Sequence, residues 1–142
     1  MIKLDNIVAT YTTQRGTVNA VDGVTLDIPD GSTVGIAGES GCGKSTLMKV
    51  IYGDLGFPLS LSAGSIDYGF FNEQRQPVTI DNIQREWFRR ISYIPQSSMS
   101  SLNPVVRIRD QFVDFPATSK QRKQVLEQVR AFVPKLGLPP ES

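Results

Sequence analysis

The residues with the clearest chemical purpose are Gly38-Glu39-Ser40-Gly41-Cys42-Gly43-Lys44-Ser45, followed by Thr46. The run fits the pattern GxxxxGK[ST] at every position. Its three glycines let the backbone turn tightly and aim successive N–H groups inward, toward an anion. A helix opening where the loop ends would add the positive end of its dipole. Lys44 brings a full charge to the place where the β- and γ-phosphates of a nucleotide would lie. Ser45 offers a hydroxyl to Mg²⁺, and Thr46 can reach a more proximal phosphate. The chemistry implied is the grip of a nucleoside triphosphate. A plain glycine-rich turn capping a helix would not require Lys-Ser at that offset. Cys42 reads as a small residue tolerated where its side chain points away from phosphate; the alternative is a thiol made acidic by the helix start.

A strand must deliver the chain to this loop and a helix must carry it away. Thr33-Val34-Gly35-Ile36-Ala37 is short and almost wholly apolar, which predicts a strand covered on both faces, of the parallel-sheet type. Leu47, Met48, Val50 and Ile51 predict the apolar face of a helix that Gly53 would cap. Upstream, Ile2 and Leu4, then Ile7, Ala9 and Tyr11, predict a strand with a register change near Asn6. A turn at Gln14 to Thr17, a tight turn at Asp22-Gly23 and alternation over Val24, Leu26 and Ile28 complete an antiparallel sheet, closed by Pro29-Asp30-Gly31.

Downstream, the stretch from Phe57 to Gly64 reads as loop by its Pro, Ser and Gly content. Ile66, Tyr68 and Phe70 alternate again, and Asp81-Asn82 would open a short helix through Trp87. Ile91 to Ile94 is strand-like and stopped by Pro95, and residues 97–104 are turn-rich. Val125, Leu126, Val129, Phe132, Val133 and Leu136 recur at helical spacing from about Ser119, until Pro134 and Gly137 end the run. Trp87 and Phe88 read as core residues; Lys120, Arg122 and Lys123 read as a solvated helix face.

Composition narrows the field. With 142 residues the chain suits one domain, and 15 Lys+Arg against 14 Asp+Glu leave a net charge of +1. That balance lacks the concentrated basic field of a free-standing nucleic-acid binder or a polybasic membrane anchor. One cysteine and no histidine exclude an internal disulfide framework, cysteine-rich zinc sites and histidine general bases. No apolar stretch approaches the roughly 18 residues of a membrane span. Asp5 interrupts the start where a secretory signal needs its apolar core, so a reducing, cytoplasmic setting is expected.

The segment Val34 to Thr46 resembles the nucleotide-binding subunits of ABC transporters and is most similar to the oligopeptide/dipeptide importer group. Tyr11 lies ahead of the loop, where that family keeps an aromatic that stacks on adenine. Val21-Asp22-Gly23-Val24 and Pro29-Asp30-Gly31 lead into the loop as they do there. Ile94-Pro95-Gln96 resembles the Q-loop, and Ser101-Leu102-Asn103-Pro104 resembles the run that follows it in oligopeptide-type subunits. The resemblance implies an α/β fold: a P-loop NTPase (RecA-like) core with an antiparallel β subdomain over residues 1–96, and the start of a helical subdomain over 97–142. It implies ATP and Mg²⁺ as ligands. Tyr11, Gly38, Ser40, Gly41, Cys42, Gly43, Lys44, Ser45, Thr46 and Gln96 would contact nucleotide, with Ser45 and Gln96 on the metal. Alone, Tyr11 also reads as a half-buried strand tyrosine and Gln96 as a surface glutamine after a proline.

The same resemblance implies partners: a second ATP-binding subunit, and permease subunits that span the membrane, on whose inner face the parent would sit. Several parts needed for hydrolysis have no counterpart here. There is no apolar run ending in Asp-Glu and no switch-loop histidine. Leu61-Ser62-Ala63-Gly64-Ser65 superficially resembles the family's signature, yet it precedes Gln96 where the signature should follow it, so it reads as loop. The chain is therefore expected to be the front of a longer ATPase, stopping within the helical subdomain, able to bind nucleotide but not to hydrolyse it. The edges of the phosphate-loop strand and of the strand before Gln96 are expected to be unpaired. The alternative in another class is a non-transport ABC-type ATPase of DNA repair or translation. A signalling GTPase would need an Asn-Lys-x-Asp run, which is absent.

Overall fold

The chain begins with two long strands, β1 (Ile2–Thr13) and β2 (Gly16–Ile28), paired antiparallel around the turn at Gln14 and Arg15. The turn sets the register: Thr13 pairs with Gly16 and Tyr11 with Val18. A computed structural model describes residues 1–97, 102–113 and 118–137. Within it the chain divides into two compact units, Met1–Tyr93 and Ile94–Ser142.

In the first unit a third strand, β3 (Leu59–Asp67), lies on the other side of β1, giving the antiparallel order β2-β1-β3. This corrects the expectation of a loop over Phe57 to Gly64. The Gly and Ser content there reflects a bulge inside a strand. Asn6 adopts φ 47°, and the pairing of β1 slips beside it on both sides, between Leu4 and Ile7 toward β2 and between Asp5 and Val8 toward β3. Gly64, at φ 91°, fits against this kink: a Cβ there would lie 2.4 Å from the Asn6 carbonyl oxygen. Asp22-Gly23 is likewise part of a continuous β2 and not a turn. The two residues fall where the register slips between the Ile7–Val24 and Ala9–Val21 pairs. The register change predicted near Asn6 is present, and it reverses side-chain parity. Leu4 before it, and Ile7 and Ala9 after it, are all buried.

The helix α1 (Lys44–Tyr52) closes over this sheet. Leu47, Val50 and Ile51 join Leu4, Ile7, Ala9, Val21, Leu59 and Ile66 in one core, completed by Tyr68, Val78 and Ile83. Gly53 caps the helix at φ 78°, as its position predicts. A 3₁₀ turn at Ile83–Glu86 occupies the place predicted for a short helix. Trp87 is half-buried, whereas Phe88 is 56% exposed with φ 61°, so only the first of the pair behaves as a core residue.

Two predicted strands do not form. Residues 33–37 run without a ladder partner and are mostly exposed, and over Ile91 to Ile94 there is only a single bridge, between Trp87 and Ile91. A parallel strand is stabilised by ladders on both edges, and among the described residues nothing offers them. In the second unit, α2 (Ile108–Phe112) is followed by α3 (Ser119–Phe132). Thr118 and Gln121 form a reciprocal capping box at the start of α3. A 3₁₀ turn at Val133–Leu136 ends at Gly137, with φ 76°. Lys120, Arg122 and Lys123 are exposed, as predicted. Ser101 lies outside the described residues.

Candidate functional site

The glycine-rich run forms a loop that enters α1 directly. Gly38, Gly41 and Gly43 take φ 157°, 85° and 95°. The Cys42 N–H donates to the Glu39 carbonyl at 3.3 Å, and the first helical bond runs from the Leu47 N–H to the Gly43 carbonyl at 2.8 Å. Gly43 is the N-cap of α1, with no side chain capping it and no acidic residue in the first turn. The amides opening the helix therefore meet neither a capping side chain nor a first-turn carboxylate at their positive end.

Lys44 folds back over the loop. Its Nζ donates to the carbonyls of Gly38 at 2.8 Å and Glu39 at 2.6 Å, and lies 3.5 Å from the Cys42 Sγ. The Cys42 side chain thus lies against the loop's own backbone and beside the Lys44 ammonium. Its sulfur packs against Gly38, whose missing Cβ would come within 2.7 Å of it.

A groove of about 550 Å³ opens beside the loop, lined by residues 41–46 together with Tyr11, Val18, Asn19 and Ala20. The parity change at Asn6 puts Tyr11 on the same side of β1 as Ile7 and Ala9, and its hydroxyl lies 3.5 Å from the Thr46 Oγ1. Ser45 is exposed and Thr46 buried. The structure thus gathers Tyr11, Gly41, Cys42, Gly43, Lys44, Ser45 and Thr46 around one groove; Gly38 joins them through the Lys44 bond, and Ser40 is exposed in the same loop. Gln96 belongs to the second unit, where it is an exposed turn residue.

Val18, Asn19 and Ala20 were not singled out from the sequence. Their signal was available, since a turn at Gln14 and Arg15 pairs Tyr11 with Val18 and brings the following residues of β2 alongside. The donor set fits a nucleotide's phosphates with Mg²⁺: an ammonium, two hydroxyls and a helix start with no acidic residue in its first turn. No helix among the described residues is long and apolar enough to cross a membrane.

Comparison with known proteins gives the family and the fold. A protein-family profile described as ABC transporter matches residues 21–138. The dipeptide transport ATP-binding protein DppD of Bacillus subtilis is 31% identical over 141 residues, covering 98% of this chain and 42% of its own. The oligopeptide transport ATP-binding protein OppF of Salmonella typhimurium is 34% identical over 127 residues, covering 87% of this chain and 36% of its own. The chain therefore spans less than half the length of these curated relatives. Among solved structures, the ATP-binding cassette MJ0796, in a dimeric post-hydrolysis state bound to ADP and Pi, superposes with a TM-score of 0.63. It is 18% identical and the match covers 94% of this chain and 57% of that one, a likeness of fold. Nothing in these relatives favours the DNA-repair or translation alternative.

Proposed function

The chain belongs to the ABC transporter family, and we propose that it is the nucleotide-gripping front part of an ATP-binding subunit from an importer of peptides or related small solutes. The observation that carries this reading is the uncapped start of α1, set beside the Lys44 ammonium in a groove that Tyr11 also lines. The names of the relatives supply the solute class.

In this reading the amides of residues 41–46 and the Lys44 ammonium hold the phosphates, and Tyr11 stacks on adenine. Lys44 exchanges its bonds to the Gly38 and Glu39 carbonyls for phosphate oxygens, so its charge is already on the spot before nucleotide arrives. Ser45 would hold Mg²⁺, which when bound spreads the charge of the phosphate oxygens. Residues 1–96 make up the nucleotide-binding part and residues 97–142 the start of a helical subdomain. In the parent protein the partners would be a second ATP-binding subunit and membrane-spanning permease subunits, placing it on the inner face of the membrane.

The test is equilibrium binding of a fluorescent ATP analogue, with and without Mg²⁺. Lys44→Ala should weaken binding by about ten- to a hundredfold, the scale of a lost charge-assisted hydrogen bond. Equal binding by the wild-type and Lys44→Ala chains would contradict the reading. Phosphate release is expected to stay at the level of Lys44→Ala.

A further inference from the structure

We propose that Trp87 is a positioning residue for the phosphate grip, acting through the far end of α1; this rests on the nucleotide-binding reading above. A helix leaves its last four carbonyls without intrahelical partners, and in α1 all four are met. The Asp54 N–H donates to the Lys49 carbonyl and the Gly53 N–H to that of Val50, each at 3.0 Å. The other two are reached by side chains from far along the chain. The Tyr68 hydroxyl donates to the Ile51 carbonyl and the Trp87 indole N–H to the Tyr52 carbonyl, both at 2.8 Å.

Trp87 makes a second contact with the same residue. Its ring stacks on that of Tyr52, with centroids 4.6 Å apart and planes 4° from parallel. A hydrogen bond and a ring stack on one residue fix both the position and the rotation of the last helical turn. Donors at this end also meet the negative pole of the helix dipole. The helix has nine residues, a rise of about 13 Å. A rigid rod that short carries any twist at Tyr52 to Lys44, Ser45 and Thr46 at its other end, where a displacement of about 0.5 Å degrades a built site. Trp87 is also bridged to Ile91, in the stretch that leads along the chain toward Gln96. The tie therefore joins the helix to the segment preceding the second predicted nucleotide contact.

The experiment compares affinity for a fluorescent ATP analogue with affinity for adenosine, measured by competition. Trp87→Phe keeps a ring for the stack and removes the N–H. It should weaken the ATP analogue about two- to tenfold, the range of one lost hydrogen bond, and leave adenosine unchanged. Trp87→Ala should lose more, and Tyr68→Phe should act in the same direction. Val78→Ala, a core truncation that removes no hydrogen bond to the helix end, should lower the melting temperature without changing the preference for ATP over adenosine. Wild-type ATP affinity in Trp87→Phe and Trp87→Ala would overturn the proposal. So would an equal loss for adenosine, or the same loss of preference in Val78→Ala. If Lys44→Ala weakens binding while the Trp87 variants do not, this inference alone fails; if Lys44→Ala changes nothing, the nucleotide reading fails and takes this inference with it.

Discussion

Gly43 and Ala20 are in direct backbone apposition: a Cβ on Gly43 would lie 2.2 Å from the Ala20 carbonyl oxygen. The N-cap of the phosphate-loop helix is thus seated on β2, and β2 cannot recede because it is laddered to β1 through Val21 and Asn19. Gly43→Ala combines that clash with a residue held at φ 95°, a region costing an L-residue about 1–2 kcal/mol by itself. The loop must lift, carrying the first amides of α1 out of register with any phosphate. We expect Gly43→Ala to lose at least about tenfold in affinity for the ATP analogue and to unfold at lower denaturant. Gly41→Ala, at φ 85° but with open space where the Cβ would go, should lose less. Comparing the two by titration and urea unfolding separates backbone strain from steric clash; a Gly43→Ala chain as tight as wild type would remove the seat on β2 from the account.

Local chemistry was the part of this molecule most legible in its sequence. Lys44, Ser45 and the three loop glycines sit where their spacing places them, because each demand there is met within a few residues. The hairpin, α1, its Gly53 cap and α3 were legible for the same reason. What escaped depends on distant pairing. Phe57 to Gly64 looked like loop because Gly64 and its serines weaken strand propensity, yet the kink at Asn6 on β1 requires that glycine. Residues 33–37 looked like a buried strand because they are apolar, but apolarity signals demand for a ladder and cannot supply one.

Tyr11 offers the groove a ring and a hydroxyl, and the two can be separated. The hydroxyl lies 3.5 Å from the Thr46 Oγ1, at the outer limit of a hydrogen bond, so its removal should matter little. A ring stacked on a base contributes about 1–3 kcal/mol. Tyr11→Phe should therefore bind the ATP analogue within about twofold of wild type. Tyr11→Ala should weaken it by about fivefold or more, while inorganic triphosphate, which has no base, competes unchanged. Equal losses in both variants would mean that Tyr11 serves the Thr46 contact and not a base.

Tyr68 gives the fold a pH limit whose sign can be worked out. Its ring is 1% exposed and its hydroxyl donates to the Ile51 carbonyl, and burial pushes that hydroxyl well above its ordinary value of 10.0. In the unfolded chain the same hydroxyl releases its proton near 10.0, so above that pH the unfolded state holds fewer protons than the folded one. Stability from this group is complete below pH 10 and falls as pH climbs toward the raised folded value. The slope for one proton is about 1.4 kcal/mol per pH unit. Tyr52 is raised in the same direction, by burial and by the nearby Asp54 charge, and so adds to the decline in any variant that retains it. Urea unfolding of wild type and Tyr68→Phe from pH 8 to 11 isolates the Tyr68 share. Near pH 8 the variant should be less stable by about 1–3 kcal/mol, since the Ile51 carbonyl loses its buried donor. As pH rises past 10 its stability should fall less steeply, so that the two curves converge; parallel curves would mean that Tyr68 ionises freely and does not clamp the end of α1.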